Sequence, residues 1–238
     1  MKKFFIIIYL IFALFALILY SSSAYHHQIH LVALGDSITH GTGDPMKIGY
    51  LGRFKQKYDD EHTSVIRITN FGIPKYTTDD TLRQLHDKKI RSALRSADYV
   101  IVFIGTNDFR KSANFKFDQL SVSRMNIGKR HFVNNFKRIL TEVRKENEQA
   151  TLIIFGLYHP YTQYKNSDQI QALITDWNEE ISQVAQTYQP YKFIPTMDLF
   201  LYKPKSRNYS DSIHLNSIGY ELIADRLYKN MEVLKKTK

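Results

Sequence analysis

The chain has 238 residues, 43% of them hydrophobic and 13% aromatic, a balance that fits one well-buried domain and excludes a largely disordered chain. It contains no cysteine, which excludes a disulfide framework, a zinc-thiolate site and a thiol nucleophile. The formal charge of +10 suits anionic surfaces such as lipid headgroups or cell-wall polymers, but no recognition helix or RNA-binding signature accompanies it, so nucleic acid is not an expected partner.

In chain order, Lys2 and Lys3 precede a charge-free apolar run over residues 4–20, closed by Ser21-Ser22-Ser23-Ala24. This is the make-up of a targeting segment, so residues 1–24 read as a signal peptide or membrane anchor and residues 25–238 as the folded domain. Lysines ahead of the run put the domain outside the cytoplasmic membrane, anchored through residues 4–20 or secreted. His26, His27 and His30 follow at once; a mobile linker suits them better than a metal site.

Beyond this point short β-rich runs alternate with helix-compatible stretches. Strands are predicted at His30–Leu34, Val65–Thr69, Tyr99–Ile104, Thr151–Phe155 and Lys192–Pro195, several apolar enough for burial on both faces. Helices are predicted at Gly49–Tyr58, Asp79–Leu94, Gly128–Asn147, Asp168–Tyr188 and Ser217–Leu234, with Thr77-Thr78-Asp79 and Asn216-Ser217 as capping sequences. Such alternation implies parallel strands joined by right-handed crossovers, hence a three-layer α/β/α sandwich on a five-stranded parallel sheet. The stretch 110–127 breaks the rhythm and is expected to form a lid or rim beside a site.

Ligands of an open parallel sheet bind beyond the carboxyl ends of its strands. Three unusual polar segments follow predicted strands: Gly35-Asp36-Ser37, Asn70-Phe71-Gly72 and Gly105-Thr106-Asn107-Asp108. Ser37 at a glycine turn can present its hydroxyl together with its own amide; Gly72 offers an unobstructed amide and Asn107 a carboxamide, three donors that would make an oxyanion hole. A serine nucleophile also needs a base. Asp211-Ser212-Ile213-His214 supplies an acid three residues ahead of a histidine, a spacing that one turn can close so that Asp211 orients the ring of His214. Asp36 reads as a loop-organising acceptor. His159, after the fourth strand, reads either as a cleft residue or as a structural histidine.

The four blocks together, in this order, resemble the SGNH hydrolases, also called the GDSL lipase and esterase family, over essentially the whole domain from about Ile29 onward. The resemblance implies a flavodoxin-like fold and ester hydrolysis with no metal or organic cofactor. It maps the nucleophile onto Ser37, the oxyanion donors onto Ser37, Gly72 and Asn107, and the acid and base onto Asp211 and His214. Ile73-Pro74-Lys75-Tyr76 is bulkier than the small residues often found after the glycine, which is expected to reshape the acyl site. An acyltransferase, or a non-catalytic surface domain binding carbohydrate or lipid, shares the same cleft; the ester itself and the oligomeric state are not specified.

Overall fold

A computed structural model describes residues 28–201 and 203–236. Its sheet contains β1 (Ile29–Gly35), β2 (Ile66–Asn70), β3 (Tyr99–Phe103), β4 (Thr151–Phe155) and β5 (Tyr191–Ile194), in the order β2-β1-β3-β4-β5 with every pairing parallel. The helices are α1 (Ser37–His40), α2 (Gly49–Glu61), α3 (Thr78–Gln84), α4 (Lys88–Arg95), α5 (Thr106–Ser112), α6 (Val122–Glu146), α7 (Ser167–Ala185), α8 (Lys205–Asn208) and α9 (Ser217–Lys236). A 3₁₀ turn spans Met197–Leu199. Residues 1–24, read above as a targeting segment, and His26 and His27 lie outside the described residues. Among those described, no helix is long and apolar enough to cross a membrane.

The central strands are apolar on both faces because each face has its own helical layer. Val32, Leu34, Val100, Val102, Leu152 and Ile154 point to the side of α4, α6 and α7, where Phe132 stacks on Trp177 with ring centroids 5.0 Å apart. The alternate residues Leu31, Ala33, Ile101, Phe103, Ile153 and Phe155 face α2 and α9 through Tyr50, Phe54, Ile223 and Leu227. Period-two alternation thus divides one run of apolar residues between two cores.

Three predicted boundaries shift for local reasons. The single helix expected over Asp79–Leu94 is two, because Asp87 accepts the Lys89 amide at 2.7 Å and starts a new helix there. Helix α6 begins six residues before the expected Gly128, where Ser121 accepts the Arg124 amide. His30 lies in β1, as the predicted strand His30–Leu34 has it, and not in the linker also expected there: it is buried, with Nε2 2.9 Å from Thr69 Oγ1 and Nδ1 3.1 Å from Ser96 Oγ.

The loop between α1 and α2 is fastened by a buried ion pair. Asp44 accepts Arg53 Nη1 at 2.6 Å and Nη2 at 3.0 Å, the Gly49 amide at 2.9 Å and the Ser217 hydroxyl at 3.1 Å, so the loop after α1 is joined to α2 and α9 at one carboxylate. Burial alone would push its pKa up, but Arg53 and the Gly49 amide outweigh burial and hold it at about 2. With the folded value depressed, the carboxylate stabilises the protein above the ordinary range and that contribution fades as pH falls toward 2. Asp44→Asn, which leaves Arg53 only the half-exposed Glu221 carboxylate 3.3 Å from its Nε, is expected to lose about 3 kcal/mol in urea denaturation at neutral pH. The gap should narrow below about pH 4, and a pH-independent gap would contradict this account.

Candidate active site

Strand β1 stops where the chain must turn within a very small space. A Cβ on Gly35 would lie 2.2 Å from Thr39 Oγ1 and 2.4 Å from the Phe103 carbonyl, so only glycine fits between β1, β3 and α1. Asp36 then caps α1, its Oδ1 accepting the Ile38 amide at 2.9 Å. Ser37 becomes the first helical residue, 5% exposed, where its N–H has no carbonyl partner within the helix.

The partner of Ser37 arrives from 177 residues away. His214 Nε2 lies 3.0 Å from Ser37 Oγ, and His214 Nδ1 lies 2.6 Å from Asp211 Oδ2. The other carboxylate oxygen, Oδ1, accepts the amides of Ile213 at 2.8 Å and His214 at 2.7 Å, so the acid both closes the turn and orients the ring. Burial would raise the Asp211 pKa, but the His214 amide, the His214 ring and the Ile213 amide outweigh it and hold the carboxyl below its usual value. The acid therefore stays ionised beside the imidazole throughout the neutral range.

Residues that the sequence did not single out support this turn. Lys205 Nζ donates to the carbonyls of Ser212 at 2.6 Å and Pro160 at 2.7 Å, and the Tyr158 hydroxyl donates to the Ile213 carbonyl at 2.6 Å. Ser210 and Leu215 close the base of the turn through the Tyr209–Leu215 bridge and the Ser210 amide, which donates to the His214 carbonyl at 2.9 Å. Gly43, at φ +92°, faces the turn with no room for a Cβ: one would sit 2.7 Å from the Leu215 carbonyl and 2.9 Å from His214 Cβ. Lysine and tyrosine carry no local signature for such work; their partners are backbone carbonyls, which any sequence supplies.

After β3, Asn107 stands at the first turn of α5, entered through Gly105 at φ +123°. One N–H of its Nδ2 donates to the Tyr76 carbonyl at 2.9 Å, which leaves the second N–H free to donate. Its neighbour Asp108 points away and accepts the Thr78 hydroxyl at 2.5 Å and amide at 3.1 Å; burial pushes its pKa up to about 6.

Gly72 departs from the expected role. Its one N–H is already given to Asn70 Oδ1 at 2.8 Å, while Asn70 Nδ2 donates to the Thr39 carbonyl at 2.8 Å. The glycine is there for packing, since a Cβ would lie 2.7 Å from the His40 amide nitrogen and 2.8 Å from Thr39 Cβ. Three residues on, Lys75 adopts a left-handed φ of +72° ahead of Tyr76, whose carbonyl meets Asn107.

His159 is buried, with Nε2 2.9 Å from Ser167 Oγ, and ties the post-β4 loop to the start of α7. Burial lowers its pKa to about 4, with Lys205 adding to the effect, so it is uncharged at neutral pH and holds structure. The stretch 110–127 completes α5, turns, and opens α6. It is pinned rather than free: Phe117 stacks on Tyr161 with centroids 3.9 Å apart, and Asn166 Nδ2 donates to the Phe117 carbonyl at 2.8 Å.

Asp36 combines two roles. Burial pushes its pKa up to about 7, with Asp108 adding repulsion and the Ile38 amide opposing, and its Oδ2 is buried with no partner. A raised folded value has the opposite sign to Asp44: the unfolded chain loses this proton first, so stability falls as pH climbs from the ordinary carboxyl range through 7. Asp36→Asn keeps the Oδ1 cap but removes the titration. Its melting temperature relative to the parent protein is therefore expected to rise between about pH 4 and 8 in differential scanning fluorimetry. A flat difference would show that this carboxyl is not perturbed.

Comparison with known proteins identifies the family of the chain. The uncharacterized protein YpmR of Bacillus subtilis (strain 168) is 33% identical over 206 residues, covering 85% of this chain and 81% of that protein. The spore germination lipase LipC of Bacillus licheniformis is 23% identical, over 84% of this chain and 94% of its own. Among solved structures, the lipase Lip_vut3 from a goat rumen metagenome superposes with a TM-score of 0.74 at 22% identity, over 84% of this chain and 96% of that one. A profile of the GDSL-like lipase/acylhydrolase family matches residues 33–222, from within β1 into α9. The chain belongs to the GDSL-like lipase/acylhydrolase family.

Proposed function

We propose that this chain hydrolyses a carboxylic ester in two steps through an acyl-serine at Ser37. The observation that carries the reading is the continuous relay from Asp211 to His214 to Ser37, with separations of 2.6 and 3.0 Å. In the first step Ser37 Oγ attacks the ester carbonyl carbon while its proton passes to His214 Nε2. Asp211 stabilises the imidazolium through Nδ1. The carbonyl oxygen becomes an oxyanion, received by the Ser37 amide and the free N–H of Asn107 Nδ2. Collapse breaks the bond to the alcohol oxygen, which leaves with the proton from His214. Water then attacks the acyl-serine carbonyl, His214 takes its proton, and a second collapse frees the acid and restores Ser37.

Support for an outward-facing domain comes from Lys2 and Lys3 ahead of the apolar run 4–20. Protease added to intact producing cells should then degrade the domain, and its survival there would place the domain inside.

Three variants separate the roles. Ser37→Ala should lower kcat on a chromogenic ester by about four orders of magnitude or more and abolish labelling by a fluorophosphonate. Asn107→Ala should keep the labelled serine yet lose about 10²- to 10³-fold in kcat. Gly72→Ala should act through stability, because its amide is already bound to Asn70. Unchanged turnover in Ser37→Ala removes the proposal.

A further inference from the structure

Arg110, one turn beyond Asn107 on α5, is a cation without a counter-ion. Among the described residues no carboxylate comes within ion-pair distance of it, a trait shared with Arg67, Arg124, Arg130, Arg138, Arg144 and Arg207; what distinguishes Arg110 is that it stands beside Asn107. Its Nη1 reaches only the Asn107 Oδ1, at a long 3.4 Å, and its Nε is buried with no acceptor. A buried charged donor with no acceptor is costly, and such a group in a native protein is where a ligand or ordered water is expected to supply the missing bond.

The surroundings hold the guanidinium ready without neutralising it. Phe115, 55% exposed and at φ +57° after Asn114 at φ +49°, lies under the guanidinium with the ring centroid 5.2 Å from Cζ. Two consecutive left-handed non-glycine residues are a strained way to place an apolar ring in solvent. The strain is matched by a purpose if the ring immobilises Arg110 and covers one face of it. Asp36 and Tyr161 are within electrostatic reach of Arg110, yet Asp36 Oδ2 and the Tyr161 hydroxyl are themselves buried without partners. Three side chains, each with a buried polar atom that has no partner, therefore lie within electrostatic reach of one another.

We propose that Arg110 is a specificity-determining residue that binds a carboxylate or phosphate carried by the ester substrate, beside the oxyanion donor Asn107. The planar fork of arginine matches both anions, and a charge held next to the scissile carbonyl orients it toward Ser37. This inference rests on the esterase reading and narrows it from esters in general to anionic esters.

The test uses the full chain and two matched substrate pairs. One pair is 4-nitrophenyl hexanoate against mono-4-nitrophenyl adipate, which adds a carboxylate to the acyl side; the other is 1-acetylglycerol against 1-acetylglycerol 3-phosphate, which adds a phosphate to the alcohol side. In at least one pair the anionic member should be favoured by about tenfold or more in kcat/KM, mainly through KM. The pair that responds tells carboxylate from phosphate, and added salt should weaken the preference. Arg110→Gln should erase it while Arg110→Lys keeps part, circular dichroism confirming that both variants fold. Equal rates within both pairs, or a preference that survives Arg110→Gln, would overturn the proposal. Failure to cleave any of the four esters would instead overturn the esterase reading, and this inference with it.

Discussion

The relay depends on one close contact between backbones, Gly43 against the turn that carries His214. With the Leu215 carbonyl 2.7 Å and His214 Cβ 2.9 Å from where a side chain would begin, the two loops touch without any intervening atoms. Everything else in the neighbourhood serves to keep them together. Asp44, the next residue, binds Arg53 of α2 and Ser217 of α9, and the Tyr220 hydroxyl donates to the Thr42 carbonyl at 2.7 Å. The loop after the nucleophile and the helix after the base are thus fastened to each other directly. A hydroxyl and an imidazole far apart in sequence can then hold 3.0 Å without relying on the sheet alone.

Four carboxyls around this arrangement show how environment assigns them different duties. Asp44 and Asp211 are both held low, the first by Arg53 and the second by amides and the histidine ring, and each remains an anion. Asp36 and Asp108 are pushed up by burial to about 7 and about 6, and each accepts an amide at a helix start. Asp36, at about 7, keeps its proton over part of the neutral range, whereas Asp108, at about 6, is mostly ionised there.

Much of this was legible in the sequence because it rests on local rules. The continuous apolar runs at 99–104 and 151–155 fit a strand covered on both faces, the three polar segments after strands fit one edge of a parallel sheet, and the Asp211-x-x-His214 spacing fits a single turn. Those readings needed only periodicity and chain reach. What was not legible depends on partners that leave no pattern. Lys205 and Tyr158 bind carbonyls, Gly72 was credited with a free amide that Asn70 occupies, and Phe117 anchors the 110–127 stretch through a ring on another loop. Short elements such as α5 and α8 were also missed, because helices of seven and four residues carry too few turns for an apolar period.

The two asparagines at the site show how hydrogen-bond accounting separates a brace from a working group. Asn70 spends its oxygen on the Gly72 amide and its nitrogen on the Thr39 carbonyl, both at 2.8 Å, so it joins the β2 loop to α1. Asn107 spends only one N–H, on Tyr76, and its oxygen meets Arg110 at a distance too long for a strong bond. A carboxamide left with unspent donor capacity would be a liability in a core, and natural cores avoid it. In the proposed mechanism that spare N–H has a recipient: the negative oxygen that appears only when the serine attacks. The left-handed Lys75 fits the same logic, since it shapes the chain so that the Tyr76 carbonyl takes one N–H of Asn107 and leaves the other to the reaction.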